Sequence, residues 1–146
     1  MIEPRRVYKL VERRLSTLPE LRRAVADYRA DSGVARRPNG GGGRCYVSDP
    51  TAAAAIRELS PIRAVTIGVG KDRETVRNPE RWIAVIDHVL QSRDATIRQA
   101  LVMRYECGYS VIKTAMRCYA GERTVYDWLR DFVSDVALLA AAEKLV

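Results

Sequence analysis

Catalysis needs clustered nucleophiles, acids or metal ligands, and this 146-residue chain places few of them together. His88 is the single histidine. It has no cysteine near it, and its neighbour Asp87 falls on a different helix face, so neither a zinc site nor a triad is supported. The three cysteines, Cys45, Cys107 and Cys118, are odd in number and form no C-x-x-C motif, which predicts reduced thiols and no disulfide framework. Cys107 and Cys118 read as small buried apolar residues near helix ends. Asp131 and Asp135 share a helix face as solvated acids. The run Gly40–Gly43 lacks the lysine-serine or lysine-threonine pair of a phosphate cradle. The expectation is a protein that is not an enzyme, with no catalytic residue, no metal and no cofactor.

Arginine supplies the chemistry that is plentiful. There are 25 Lys and Arg against 18 Asp and Glu, a net charge of +7, and only Lys9, Lys71, Lys113 and Lys144 are lysines. Guanidinium groups bind phosphates and base edges bidentately, whereas an ammonium is a point charge. Residues 1–44 hold eleven basic and five acidic side chains, while residues 81–146 are nearly balanced at nine and eight. Such a balance fits a polyanionic partner such as nucleic acid. An apolar content of 47% is ordinary for a globular chain. No apolar run approaches the roughly 18–20 residues of a membrane span, and Met1–Arg6 lacks the apolar stretch of a signal peptide. These features point to a cytoplasmic protein with no membrane partner.

The most informative constellation lies at about 110–137. Ser110 is placed to cap a short helix, 111–118, with Ile112, Ala115 and Met116 inward. Tyr119-Ala120-Gly121 breaks it. A longer helix, 122–142, then turns Val125, Trp128, Leu129, Phe132, Val136 and Leu139 inward. A short helix, a tight break and a longer amphipathic helix are the parts of a helix-turn-helix. Ala115 is small where the two helices would cross, and Val125 is the matching core position ten residues on. Gly121 stands at the N-cap of the second helix. The outward set is Glu122, Arg123, Thr124, Tyr126, Asp127 and Arg130. Arg123 and Arg130 would donate to bases and phosphates, with Thr124 and Tyr126 beside them. Ser110 and Lys113 complete the candidate DNA-binding residues. Glu122, Asp127, Asp131 and Asp135 make this helix less basic than many recognition helices. Tyr105, Tyr109, Tyr119 and Tyr126 surround the turn as core and rim.

The remaining elements must position that unit. Apolar spacing predicts helices at about 4–16 and 19–30, broken at Pro19 into a hairpin or kinked rod. Arg36, Arg37 and Arg44 flank glycines in a linker at 35–48, predicted to be a mobile basic arm. The boundaries expected are 1–34 for the helical hairpin or arm, 35–48 for the linker and 49–146 for the DNA-binding domain. Asp49-Pro50 and Asn78-Pro79 each place a capping residue before a first-turn proline. The first would open a helix over 52–59, and the second a helix burying Trp82, Val85, Ile86, Val89 and Leu90. Residues 64–70 read as a buried extended connector, since a lone strand has no partner. Asp94 would cap a helix carrying Ile97, Ala100, Leu101 and Tyr105, ended by Gly108. The fold class is all-α. Val7, Leu10, Val11, Leu15, Leu18, Leu21, Val25 and Tyr28 form more apolar surface than a hairpin beyond a flexible linker can bury, which predicts self-association or partner contact through the N-terminal helices.

The segment Ala95–Leu138, with Arg104-Tyr105, Ala115, Thr124-Val125 and Trp128, is similar to region four of sigma factors. The whole chain resembles the RinA/ArpU-type phage transcriptional activators. The paired helices of Tyr8–Tyr28, the turn Gly43-Arg44 leading into Ser48-Asp49-Pro50-Thr51, and the sigma-like helix-turn-helix follow in the same order. The sequence departs from the pattern at Tyr119, where such turns often have glycine, at Gly121, where serine is common, and in the longer stretch 61–78. The resemblance implies a phage-type regulator that binds double-stranded DNA in the bacterial host cell, activates late genes and contacts host RNA polymerase. The alternatives are a small DNA-packaging protein like a terminase small subunit, and a protein-only adaptor. Binding to duplex DNA should weaken steeply with salt, by about 0.9 in logarithmic slope per neutralised phosphate. A salt titration that leaves affinity unchanged would contradict the electrostatic reading.

Overall fold

The computed structural model describes residues 3–31 and 60–146. The expected basic arm (Arg36, Arg37, Arg44), the linker, Cys45 and the 52–59 helix lie outside the described residues. The described chain forms six helices and one small antiparallel sheet. The helices are α1 (Pro4–Ser16), α2 (Leu18–Asp31), α3 (Pro79–Gln91), α4 (Ala95–Tyr105), α5 (Val111–Arg117) and α6 (Glu122–Ala142). The strands are β1 (Ala64–Ile67) and β2 (Glu74–Arg77).

The fold is therefore mostly helical, and the all-α expectation is corrected by a β-hairpin. Val65 of β1 had a partner after all, Val76 of β2, with Thr66 opposite Thr75. Strand β2, Glu-Thr-Val-Arg, is too polar and too short to announce itself. Its period of two emerges only in the sheet, where Val76 is buried and Thr75 and Arg77 are exposed. The turn at the tip needs Gly68, whose φ is +83° and whose added Cβ would collide with the Asp72 carbonyl oxygen.

Helices α1 and α2 are separated by Thr17 alone, and the Leu21 N–H reaches back to its carbonyl at 2.9 Å. They do not stand apart as an arm. Val11, Leu15, Leu18 and Leu21 are buried in one cluster with Val65, Val76, Trp82, Ile86, Phe132 and Val136. Helix α6 packs against α1 and α3, and α2 against β1 and α3. The apolar stripe expected to serve self-association is thus covered intramolecularly at its centre. Tyr8 and Tyr28 remain exposed.

Helix α3 buries the predicted face, Trp82 to Leu90, yet its capping chemistry differs from expectation. Asn78 takes the left-handed conformation (φ 51°), makes no side-chain cap, and donates its N–H to the Arg63 carbonyl at 2.9 Å, closing the hairpin. Asparagine tolerates this region better than most residues. Asp94 likewise precedes α4 without a side-chain cap bond.

Arginines of the N-terminal helices hold the other elements. Arg14, 7% exposed, donates from Nη1 to Glu74 at 2.7 Å, and its guanidinium lies 5.7 Å from the Trp82 ring centroid. Arg13 reaches the same carboxylate at 2.9 Å. Arg22 pairs with Asp87 and Glu106, and Arg29 with Glu80. The hydrogen bond with Asp87 raises the Arg22 pKa above its ordinary value, against the lowering effect of burial. Removing one partner of a buried pair strands a charge, at about 3–5 kcal/mol, whereas replacing both by apolar groups is often neutral. Glu74→Ala should therefore destabilise the fold by about 3 kcal/mol, and the double change Arg14→Met with Glu74→Leu by much less. Urea unfolding of both variants checks this, and equal costs would refute it.

Candidate nucleic-acid interface

A short helix, a turn and a long helix, α5 and α6, form where the spacing placed them. Ser110 caps α5: its hydroxyl accepts the Lys113 N–H at 3.2 Å, and its carbonyl accepts the Thr114 hydroxyl at 2.9 Å. Helix α5 packs on α6, with Ala115 (3% exposed) and Val125 (0%) both buried. Gly121 occupies the N-cap of α6 in an extended conformation. Gly108, at φ +71°, stops the chain after α4, and the following Tyr109 N–H returns to the Met103 carbonyl at 3.0 Å.

The turn itself is a helix-ending motif with an unusual occupant. The Ala120 N–H bonds the Ala115 carbonyl at 3.0 Å, while Tyr119 between them adopts φ +54°. That is the left-handed position where glycine is the usual residue. The backbone thus keeps the glycine-type turn despite the tyrosine, and the side chain is 99% exposed.

Every candidate DNA-binding residue from Ser110 to Arg130 is on the surface: Ser110, Lys113, Gly121, Glu122, Arg123, Thr124, Tyr126, Asp127 and Arg130 are all exposed. At the start of α6, Glu122, Arg123 and Thr124 face solvent while Val125 is buried. Arg130 lies 4.0 Å from Asp127 and borders a groove of about 480 Å³ that also contains Tyr8, Glu12 and Tyr126. One cation of this surface, Arg117, was not among the candidates. Arg117 is exposed one turn after Lys113, and both cations flank the Tyr109 ring, at 5.5 and 4.0 Å from its centroid. Their i,i+4 spacing was the signal that could have found Arg117.

Several expected packing roles are corrected. Ile112 and Met116 are exposed rather than inward, because the buried face of α5 is Thr114 and Ala115. Trp128 is half-buried and stands outside the main core cluster. Cys107 is exposed and Cys118 half-buried. Of the tyrosines, Tyr105 packs against Phe132 at 6.0 Å between centroids, and burial pushes its phenol pKa up to about 12. Asp135 is exposed as expected but pairs with Arg93. Among the described residues no group of three or more His, Cys, Asp and Glu is placed to hold a metal ion, and no helix is long and apolar enough to cross a membrane.

No family model, curated protein or solved structure matches the chain.

Two substitutions separate packing from surface roles. Trp128→Ala should cost less than the roughly 3–5 kcal/mol of a fully buried tryptophan. Tyr119→Gly should raise stability by up to about 1 kcal/mol, because glycine pays no steric cost in the left-handed region. Thermal melts of both variants test these values.

Proposed function

We propose that the protein is a DNA-binding transcriptional regulator whose α5–α6 helix-turn-helix docks in the major groove. One observation carries the reading: α5, capped by Ser110, packs on α6 with Ala115 and Val125 buried and leaves Glu122, Arg123 and Thr124 at the start of α6 exposed. Arg123 there is positioned for a base edge, since the N-terminal residues of a recognition helix make the base contacts. Arg130, two turns on, is positioned for a phosphate. Lys113 and Arg117 add cations from the preceding helix. The resemblance to RinA/ArpU-type activators extends the proposal to activation of phage late genes, with host RNA polymerase as the protein partner and the bacterial cytoplasm as the location.

A protein-only adaptor is the second reading, favoured by the exposed apolar side chains Ile112 and Met116 on α5. Large exposed apolar groups side by side suit a protein partner.

Arg123→Ala should leave the melting temperature unchanged and reduce discrimination between operator and random DNA by about 1–3 kcal/mol. Arg130→Ala should weaken binding to all sequences evenly. Binding curves on both duplexes are the measurement. An Arg123→Ala protein that discriminates as wild type does would remove α6 as the reader and favour the adaptor.

A further inference from the structure

The β1–β2 hairpin, which the helix-turn-helix does not use, carries its own basic surface. Strand β2 and the residue before it alternate with period two: Glu74 faces inward and Val76 is buried, whereas Arg73, Thr75 and Arg77 are exposed. Lys71 lies in the short turn at the tip, Gly70–Asp72, and Arg63 at the foot of β1; both are exposed. None of these four cations forms an ion pair with any described residue. On the N-terminal helices, by comparison, Arg13, Arg14, Arg22 and Arg29 are held by carboxylates, while Arg5, Lys9 and Arg23 are exposed and outside any ion pair with a described residue. Of the hairpin's two acids, Glu74 is taken by Arg13 and Arg14, which leaves Asp72 alone against the four cations.

We propose that this hairpin is a second DNA contact, one that grips the phosphate backbone without reading sequence. The proposal rests on the helix-turn-helix reading for the identity of its ligand. The surface suits phosphates for three reasons. Its outward residues are arginines, a lysine and the facing pair Thr66 and Thr75, which are donors to phosphate oxygens. It has no aromatic or large apolar anchor of the kind that dominates protein interfaces, Val69 at the tip being its one exposed apolar residue of any size. It is also rigid. Val65, Ile67 and Val76 pin its inner face in the core, and the turn is closed by the Asp72 N–H on the Val69 carbonyl at 3.2 Å. Cations held on such a frame lose little freedom on binding.

The hairpin and the recognition helix are tied to one rod. Helix α1 holds Glu74 through Arg14, and through Tyr8 it shares a 2.7 Å hydrogen bond with Ser134 of α6. Those two anchors are six residues apart, about 9 Å along the helix axis. Arg73 and Arg77 are separated by about 13 Å of extended strand. Both spans are small beside one helical turn of DNA, about 34 Å; the proposal requires one duplex to meet both surfaces.

The test is a salt titration of binding to a short random-sequence duplex. The variant with Arg63, Lys71, Arg73 and Arg77 all replaced by serine should melt as wild type does and lose about 0.9 in logarithmic salt slope per contact, about 3.6 if all four make one. Replacing the three arginines by lysine should retain the slope. If the fourfold variant melts early, Arg73→Ser and Arg77→Ser singly carry the test, each lowering the slope by about 0.9. An unchanged slope overturns the hairpin contact while leaving the effect of Arg123→Ala, and with it the helix-turn-helix reading, intact. A reduced slope together with an inert Arg123→Ala supports the hairpin and removes α6 as the reader. No duplex binding by wild type at low salt overturns both. Hairpin-dependent binding to phosphatidylserine vesicles without duplex binding also overturns the proposal.

Discussion

A single buried guanidinium joins three parts of the chain. Arg14 projects from α1 into the region where β2 and α3 meet, donating to Glu74 and lying over the Trp82 ring. A charge at 7% exposure is tolerable only with a carboxylate at hydrogen-bond distance. The pairing therefore fixes which face of β2 points inward, because Glu74 has to meet Arg14. With Glu74 turned in, the strand's period of two turns Arg73, Thr75 and Arg77 out. The orientation of the hairpin thus follows from one ion pair, supported by Val65, Ile67 and Val76 on the same inner face.

The same logic redistributes the charge of the molecule. The excess of arginine near the N terminus would pass, on composition, for a polyanion-binding region. In the fold, Arg13, Arg14, Arg22 and Arg29 are engaged with Glu74, Asp87, Glu106 and Glu80, so they act as struts between helices and sheet. Arginine suits this role because its planar fork can hold two carboxylates at once, as Arg22 does. The cations left facing solvent without an ion pair include Arg5, Lys9 and Arg23 on α1 and α2, and others on the hairpin and on α5 and α6. Net charge states how many cations exist. Their free subset depends on the acids that the fold brings alongside.

The helix-turn-helix is built more economically than the rest of the core. Its crossing uses Ala115, Thr114 and Val125, all buried, in place of large apolar side chains. Small residues permit a close approach of α5 to α6 and leave the outward faces of both helices uncovered. Tyr119 shows the tension in this unit. The turn requires a left-handed residue, and a fully exposed tyrosine occupies it with no packing to offset the steric cost. Tyr119, between Arg117 and Arg123 in the chain, adds its ring to the exposed surface that the proposed DNA contact would use.

Much of this was legible in order. Apolar periodicity located α1, α2 and α6 to within a residue, and the turn signals Asn78-Pro79, Asp94 and Gly108 marked where α3 begins and where α4 begins and ends. Ser110, Ala115 and Val125 were legible as a crossing because capping and small-residue spacing are local signals. The hairpin was not, because four polar-alternating residues become a strand only when a partner lies opposite, and Val65 meets Val76 eleven positions away. The inward roles assigned to Ile112, Met116 and Trp128 also failed, because helical periodicity gives a face but not what lies against it. The sequence by itself determined the helices, the turn and the set of available cations. Only the tertiary structure decided which of those cations are neutralised, since ion pairing depends on residues such as Arg14 and Glu74 that are remote in the chain and adjacent in space.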